Sequence, residues 1–264
     1  MFMLTHTYFL QQVLTAAGLR DVEPDIYIYN VAPDLLAIHP RISSARTHNL
    51  RRSLQAPGQY PKSDYVMYHL LIDDLSHYGY ICADCQEEFD VNSRGYSYLK
   101  GNRLVKAIMA VHEIIGKDIS LNDAVYQSHL IIEMIYDLVI LKHIHAYKTI
   151  DVLVEAVHYT AEKKMDEFVA TMNWLYGLPE QEIIDVMNSA QYFITKESMN
   201  GLMNMEGRIN LYKDKFGLRR DEPLCDDGLK DLFQRAMDLI DDEELFFAET
   251  VKAIKEYNTL ALFK

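Results

Sequence analysis

The sequence predicts an all-α, multi-helix domain, and three observations carry that prediction. Apolar residues recur at three- and four-residue spacing through most of the 264 residues, the period of helices with one buried face. Residues that start or stop helices fall between those runs. No internal repeat, low-complexity tract or obvious linker divides the chain, so residues 1–264 read as a single domain.

Taken in order, "HTYFLQQVLTAAG" has helical spacing and ends on Gly18, a C-cap residue. The stretch "VEPDIYIYNVAPDLLAIHPRI" is punctuated by Pro24, Pro33 and Pro40, which predicts short turns and helix starts rather than one long element. "DYVMYHLLIDDLSHYG" is a helix closed by Gly79. Residues 80–102 lack periodicity and read as an excursion or long loop. Helices are then expected over 103–116, 121–147, 150–176, 179–194, 197–216, 226–240 and 242–258. Ser120 is an N-cap for the second of these, with Asp123 in its first turn. Gly177 and Pro179 precede the fourth. The last helix is acidic and amphipathic, with a solvated face and an apolar face for packing or for a second copy of the chain.

Net charge is −13, with a pI near 5.2. Such a field repels nucleic-acid backbone and anionic membranes, so stable nucleic-acid binding is not expected. The short basic cluster "RTHNLRR" (Arg46 to Arg52) is too small for a nucleic-acid footprint but could hold a phosphate. No apolar run approaches the roughly 20 residues of a transmembrane helix. The start lacks the charged region and cleavage site of a signal peptide. Three cysteines, Cys82, Cys85 and Cys225, make no disulfide framework, and the expectation is a cytoplasmic protein with reduced thiols.

Nine of the ten histidines precede residue 148, which puts the chemistry in the first half. His69, Asp73 and His77 step by four along one helix and project to one side. Imidazole nitrogen and carboxylate oxygen are both zinc donors, and a carboxylate can bridge two ions. A second helix carries His129, Glu133 and Asp137 at the same step among Leu130, Ile131, Ile132, Met134, Ile135 and Leu138. Burying carboxylates there is costly unless a cation or donor compensates them. Convergent donors from facing helices are how bundle metal sites are built. His6, Asp34 and His48 are further candidates that only tertiary structure could bring in.

The order "THTYF", "PDIYIYNVAPDLL", "RTHNLRR", "HLLIDDLSH" and "HLIIE" resembles the zinc-dependent phospholipase C family, whose fold group includes the zinc-dependent single-strand-specific nucleases. The resemblance covers roughly residues 1–135. It implies a multi-helix bundle of that type, with metal-site helices in 1–147 and accessory C-terminal helices in 148–264. It also implies that Asp34, His48 and His69 hold one zinc ion, that Asp73 bridges to a neighbouring ion served by His6, and that His77, His129 and Glu133 hold a third. The family completes one zinc site with an N-terminal tryptophan. This chain begins Met1-Phe2-Met3 and its only tryptophan is Trp174, so a two-metal site is the alternative. Manganese or iron could replace zinc at such mixed donors.

The implied activity is hydrolysis of a small-molecule or lipid phosphate ester, with Asp34, Asp73 and Glu133 as the carboxylates of the catalytic centre. Ions there would acidify water and neutralise phosphoryl oxygens. Asp74 or Asp137 could serve as a base or orient a ligand imidazole, and Arg46, Arg51 or Arg52 could steady a phosphate. The alternative from another class is a non-catalytic metal-binding or partner-binding helical protein. An HD-type phosphohydrolase ranks lower, because no adjacent His-Asp pair occurs. "CADC" is read as two incidental thiols, since no second C-x2-C follows. His143 and His145 point to different helix faces, His39 and His112 are read as structural, and His158 as one member of a surface charge pair with Glu155 or Glu162. The tyrosines of "DIYIYN" are read as core.

Overall fold

Helix α2 (Ile26–Leu36) is buried at every position except Asp34, the pattern of a helix enclosed by others. The computed structural model describes residues 2–19, 21–83, 92–218 and 223–257, and among these there are helices and connecting turns but no strand. The helices before and after α2 are α1 (Met3–Ala16), α3 (Ser44–His48), α4 (Ser63–His77), α5 (Tyr96–Gly101), α6 (Val105–Ile114), α7 (Leu121–Val139) and α8 (Leu141–Ala146). There follow α9 (Thr149–Tyr159), α10 (Met165–Tyr176), α11 (Glu180–Phe193), α12 (Lys196–Gly201), α13 (Met205–Lys215), α14 (Pro223–Asp238) and α15 (Glu243–Tyr257).

Helices α1, α3, α4 and α9 pack directly on α2, while the short α5 lies against both α4 and α7. The C-terminal helices cover these: α13 and α14 pack on α7, and α15 on α4. One continuous apolar cluster runs from Leu4 to Ile254 and includes Phe9, Ile28, Val31, Leu35, Val66, Leu70, Ile131 and Ile135, all fully buried. Each such side chain contributes about 1.5–3 kcal/mol on burial. That surplus allows the bundle to enclose the polar side chains described below.

Several expected boundaries differ. Pro33 lies inside α2 rather than starting a helix. Its fixed φ suits a helix, so the lost amide and the ring's crowding of the preceding turn are outweighed by burial on all sides. Residues 80–102 contain α5, which closes onto its neighbours through glycine. A Cβ at Gly95 would overlap the His77 carbonyl, and one at Gly101 would stand 2.8 Å from Ser128 Oγ. The run 121–147 divides at Ile140, where ψ is 13°. The run 150–176 passes through a π-helical turn at Thr160–Lys164. The run 197–216 splits because Asn204 caps a new helix, its side chain accepting from the Gly207 amide at 2.9 Å. The Gly79 and Ser120 boundaries are as expected: Gly79 adopts φ of +82°, and Ser120 Oγ accepts from the Asp123 amide at 3.0 Å. Of the CADC motif, Cys82 is buried, and Cys85 lies outside the described residues.

Two buried arginines tie the layers together. Arg208 of α13 donates to Asp137 Oδ2 of α7 at 2.7 Å, and Thr5 of α1 donates to the other oxygen of the same carboxylate. Arg52 donates to both oxygens of Asp74 at 2.9 and 2.7 Å and to the His48 carbonyl at 3.0 Å, while the Cys82 amide also donates to Asp74. Deleting one member of a buried pair leaves the other charge uncompensated. Arg208→Met is therefore expected to lower the unfolding free energy by about 3–5 kcal/mol. Arg235→Ala, in an exposed α14 pair with Asp231, should leave the denaturation midpoint essentially unchanged. Equal midpoints for the two variants would contradict the clamp.

Candidate metal centre

Asp73 projects from the middle of α4 and is buried, and its two oxygens face different imidazoles. Oδ1 lies 3.2 Å from His6 Nε2 of α1. Oδ2 lies 3.0 Å from His69 Nε2, one turn earlier on α4, and 3.4 Å from His48 Nε2 at the end of α3. His48 Nε2 also stands 3.5 Å from Asp34 Oδ1 of α2, and that oxygen is 4.0 Å from His69 Nε2. Two neighbouring groups of donors result: His6, His69 and Asp73, and then Asp34, His48 and His69. His69 belongs to both.

A third group, His77, His129 and Glu133, forms where α4 faces α7. His77 Nε2 lies 2.8 Å from Glu133 Oε1, and the ring of His129 stacks on Tyr98 at 4.4 Å. Within each group the ligand atoms lie within 4.8 Å of one another. Thus the eight side chains expected from the sequence fall into these three groups, with His69 common to two of them and the two Asp73 oxygens facing different imidazoles.

The donor chemistry fits a metal ion. Two ligands at about 2.0–2.1 Å from a tetrahedral zinc ion stand roughly 3.4 Å apart, close to the spacings above. His6 and His69 are fully buried and stack face to face at 3.6 Å, yet none of their four ring nitrogens has hydrogen-bond geometry to a partner among the described residues. Their Nε2 atoms approach Asp73 without directing an N–H at it, as donors aimed at a shared point would. Leaving buried polar atoms so arranged is costly unless an ion compensates them.

The electrostatics separate the imidazoles. Burial and the neighbouring His6 push His69 down to about 4, and burial pushes His129 down to about 3, so both are neutral at pH 7 and have lone pairs to offer. Burial would also lower His48, but the Asp34 and Asp73 carboxylates accept from it and raise it to about 10. Its Nδ1 lies 2.9 Å from the Ser44 carbonyl, which leaves Nε2 turned to the centre. Burial opposes ionisation of Asp73 and Glu133, yet surrounding positive charge, to which the imidazoles contribute, holds both well below the usual carboxylate range.

Supporting residues that sequence periodicity gave no reason to choose complete the centre. The hydroxyls of Ser76 and Ser97 lie 3.2 and 3.1 Å from Glu133 Oε1, fixing that carboxylate's orientation. Ser97 sits in the stretch read as loop, reaching Glu133 only because Gly95 lets α5 abut the end of α4, its amide donating to the His77 carbonyl at 2.9 Å. Conversely, several sequence candidates take structural roles. Asp74 and Asp137 are bound to Arg52 and Arg208. Arg52 is buried in its pair, and Arg46 donates to the Tyr176 and Gly177 carbonyls at 3.0 and 2.9 Å, so the basic cluster is not a ready phosphate cradle; Arg51 alone is exposed without such a role. His112 pairs with Gln127 at 3.0 Å, as a structural histidine should.

The chain matches no family model, and comparisons with curated proteins and with solved structures give no match.

Two outcomes follow from this geometry. His48 at about 10 against an unfolded value near 6.5 stabilises the metal-free fold fully below pH 6.5, and that contribution is lost as pH rises towards 10. An ion needs the neutral imidazole, so zinc binding at pH 7.5 should release about one proton from His48. Calorimetric titration in two buffers of different ionisation enthalpy reads that number, and identical heats in both would contradict it. Second, Ser97→Ala should weaken zinc held by the third group about 10–100-fold while the far-ultraviolet circular dichroism stays unchanged; unaltered affinity would remove the orienting role of Ser97.

Proposed function

We propose that the protein is a metal-dependent hydrolase of phosphate esters, a phospholipase C-like phosphodiesterase with a di- or trinuclear zinc centre. The observation that carries the reading is the placement of Asp73 and His69 between two donor groups, because adjacent divalent ions are the arrangement that phosphoryl transfer uses. The order of the donor motifs, which resembles the zinc-dependent phospholipase C family, supports the same reading.

Divalent ions held there would lower the pKa of water and neutralise charge on a phosphoryl group. The chain's own residues define the rest. Asp34 and His48 are the partly exposed edge of the centre, at 28% and 22%, whereas His6 and His69 lie beneath it at 0%. A phosphate ester therefore approaches over Asp34 and His48. Three carboxylates facing two or three divalent ions leave the centre net positive despite the charge of the whole chain, which draws an anionic ester to this spot. Asp34, with its carboxyl held below the usual range by His69 and His48 against the effect of burial, stays ionised at neutral pH. Manganese or iron fits the same mixed donors.

No helix among the described residues is long and apolar enough to cross a membrane, and a cytoplasmic location with a diffusible or lipid-derived ester as substrate is part of the proposal. The test is turnover of bis(4-nitrophenyl) phosphate by the zinc-loaded chain. Activity should vanish with chelator and return with zinc, and Asp73→Asn should reduce it by at least about a hundredfold. A fully metal-loaded protein with no turnover of this or a phosphatidylcholine substrate would favour the non-catalytic metal-binding alternative.

A further inference from the structure

His48 stands at the partly exposed edge of the centre, on a helix of only five residues, so neither deep burial nor a long helix fixes its ring. Its inner nitrogen, Nε2, lies 3.5 Å from Asp34 Oδ1 and 3.4 Å from Asp73 Oδ2. Whatever holds the ring for a metal ion must therefore act on the outer nitrogen. There Nδ1 meets three oxygens of its own helix: the Ser44 carbonyl at 2.9 Å, Thr47 Oγ1 at 3.0 Å and Ser44 Oγ at 3.2 Å.

Those contacts have a direction. A carbonyl oxygen only accepts, so Nδ1 carries the proton that points at Ser44. Thr47 donates its own hydroxyl proton to the same carbonyl at 3.0 Å, which leaves its oxygen as a second acceptor for Nδ1–H. With Nδ1 as the donor, Nε2 is the nitrogen that offers a lone pair to an ion. Thr47 is fully buried, so its hydroxyl is held in one place, whereas Ser44 is exposed. A threonine hydroxyl bonded to the carbonyl three residues earlier is ordinary in a helix. That bond does not require the same oxygen to stand against the ring of a ligand histidine. His6 and His69 are held differently: they stack on each other in full burial, with no partner at Nδ1 among the described residues.

We infer that Thr47 is a positioning residue of the centre: its buried hydroxyl, anchored on the Ser44 carbonyl, locks the His48 ring so that Nε2 completes the Asp34, His48 and His69 group at the open edge. The inference rests on the proposed metal centre. Within it, Thr47, which ligates nothing itself, governs how firmly the ion nearest an approaching ester is held. Such outer partners of ligand imidazoles change metal affinity by about 10–100-fold.

The experiment titrates zinc into the full chain against a competing chelator, for wild type, Thr47→Val and Thr47→Ser. It also records the imidazole proton–nitrogen correlation spectrum of each zinc-loaded protein. Thr47→Val keeps the side chain's shape and removes the hydroxyl. It should weaken one equivalent of zinc about 10–100-fold and leave zinc at the His77, His129 and Glu133 group unchanged. The His48 Nδ1–H signal should broaden through faster exchange with water. Thr47→Ser restores the hydroxyl and should recover both the affinity and the signal. Zinc affinity of Thr47→Val within about twofold of wild type overturns the inference, since that is below the effect of an outer partner. Thr47→Ser binding as weakly as Thr47→Val also overturns it, because packing rather than the hydroxyl would then matter. A uniform loss at every equivalent overturns it too, as the mark of a merely structural role, and failure of the wild type to bind zinc removes the centre and the inference together. Hydrolysis of bis(4-nitrophenyl) phosphate, measured in parallel, separates the two readings. Zinc binding that depends on the Thr47 hydroxyl, without turnover, supports Thr47 as the positioning residue while removing the hydrolase reading.

Discussion

A carboxylate enclosed by three imidazoles is the constraint around which the rest of the structure is arranged. Asp73 has 4% of its surface exposed, and His6, His48 and His69 reach it from three helices. Placing an ionised carboxylate and buried, unbonded imidazoles in an apolar bundle would cost several kcal/mol without a compensating cation. The fold meets part of that cost through the apolar cluster on α2 and α4, and the donor geometry suits a cation for the remainder. Because α4 carries His69, Asp73 and His77 on successive turns, one helix sets the spacing of all three donor groups.

The surroundings hold that helix in register from both ends. Arg52 bonds the residue next to Asp73 and the carbonyl of His48 at once, so α3 cannot slide without breaking a buried ion pair. At the other end, Gly95 and the Ser76–Ser97 contact bring α5 between α4 and α7. Arg208 then joins α13 to α7 through Asp137, and Thr5 of α1 shares that carboxylate next to His6. The C-terminal helices thereby act on the centre through positioning, with α13 fixing the relation of α1 to α7.

The centre was legible in the sequence where its donors repeat on one helix face. His69, Asp73 and His77 follow from the four-residue step, and His129 and Glu133 from a carboxylate set in an apolar run. His6, Asp34 and His48 carry no periodic relation to those residues, and their inclusion came from the order of motifs alone. The same periodicity misled at Asp137, which shares the step with Glu133 but turns to Arg208, whereas Asp74 lies off the step and turns to Arg52. Sequence spacing shows which face a side chain leaves from and not which cation meets it. Ser97 was hidden for another reason: its role depends on a glycine-mediated approach of two helices, which leaves no pattern along the chain. Among the helices, long apolar runs were sound in kind, while the breaks at Ile140 and at residues 202–204 depend on single backbone angles and a side-chain cap.

The most direct measurement is elemental analysis of the purified chain after zinc loading and exhaustive dialysis. Three donor groups, two of them sharing His69, predict two to three equivalents of zinc per chain. Less than about one equivalent of any transition metal would contradict the centre, because buried histidines and carboxylates converging in ligand geometry bind such ions tightly.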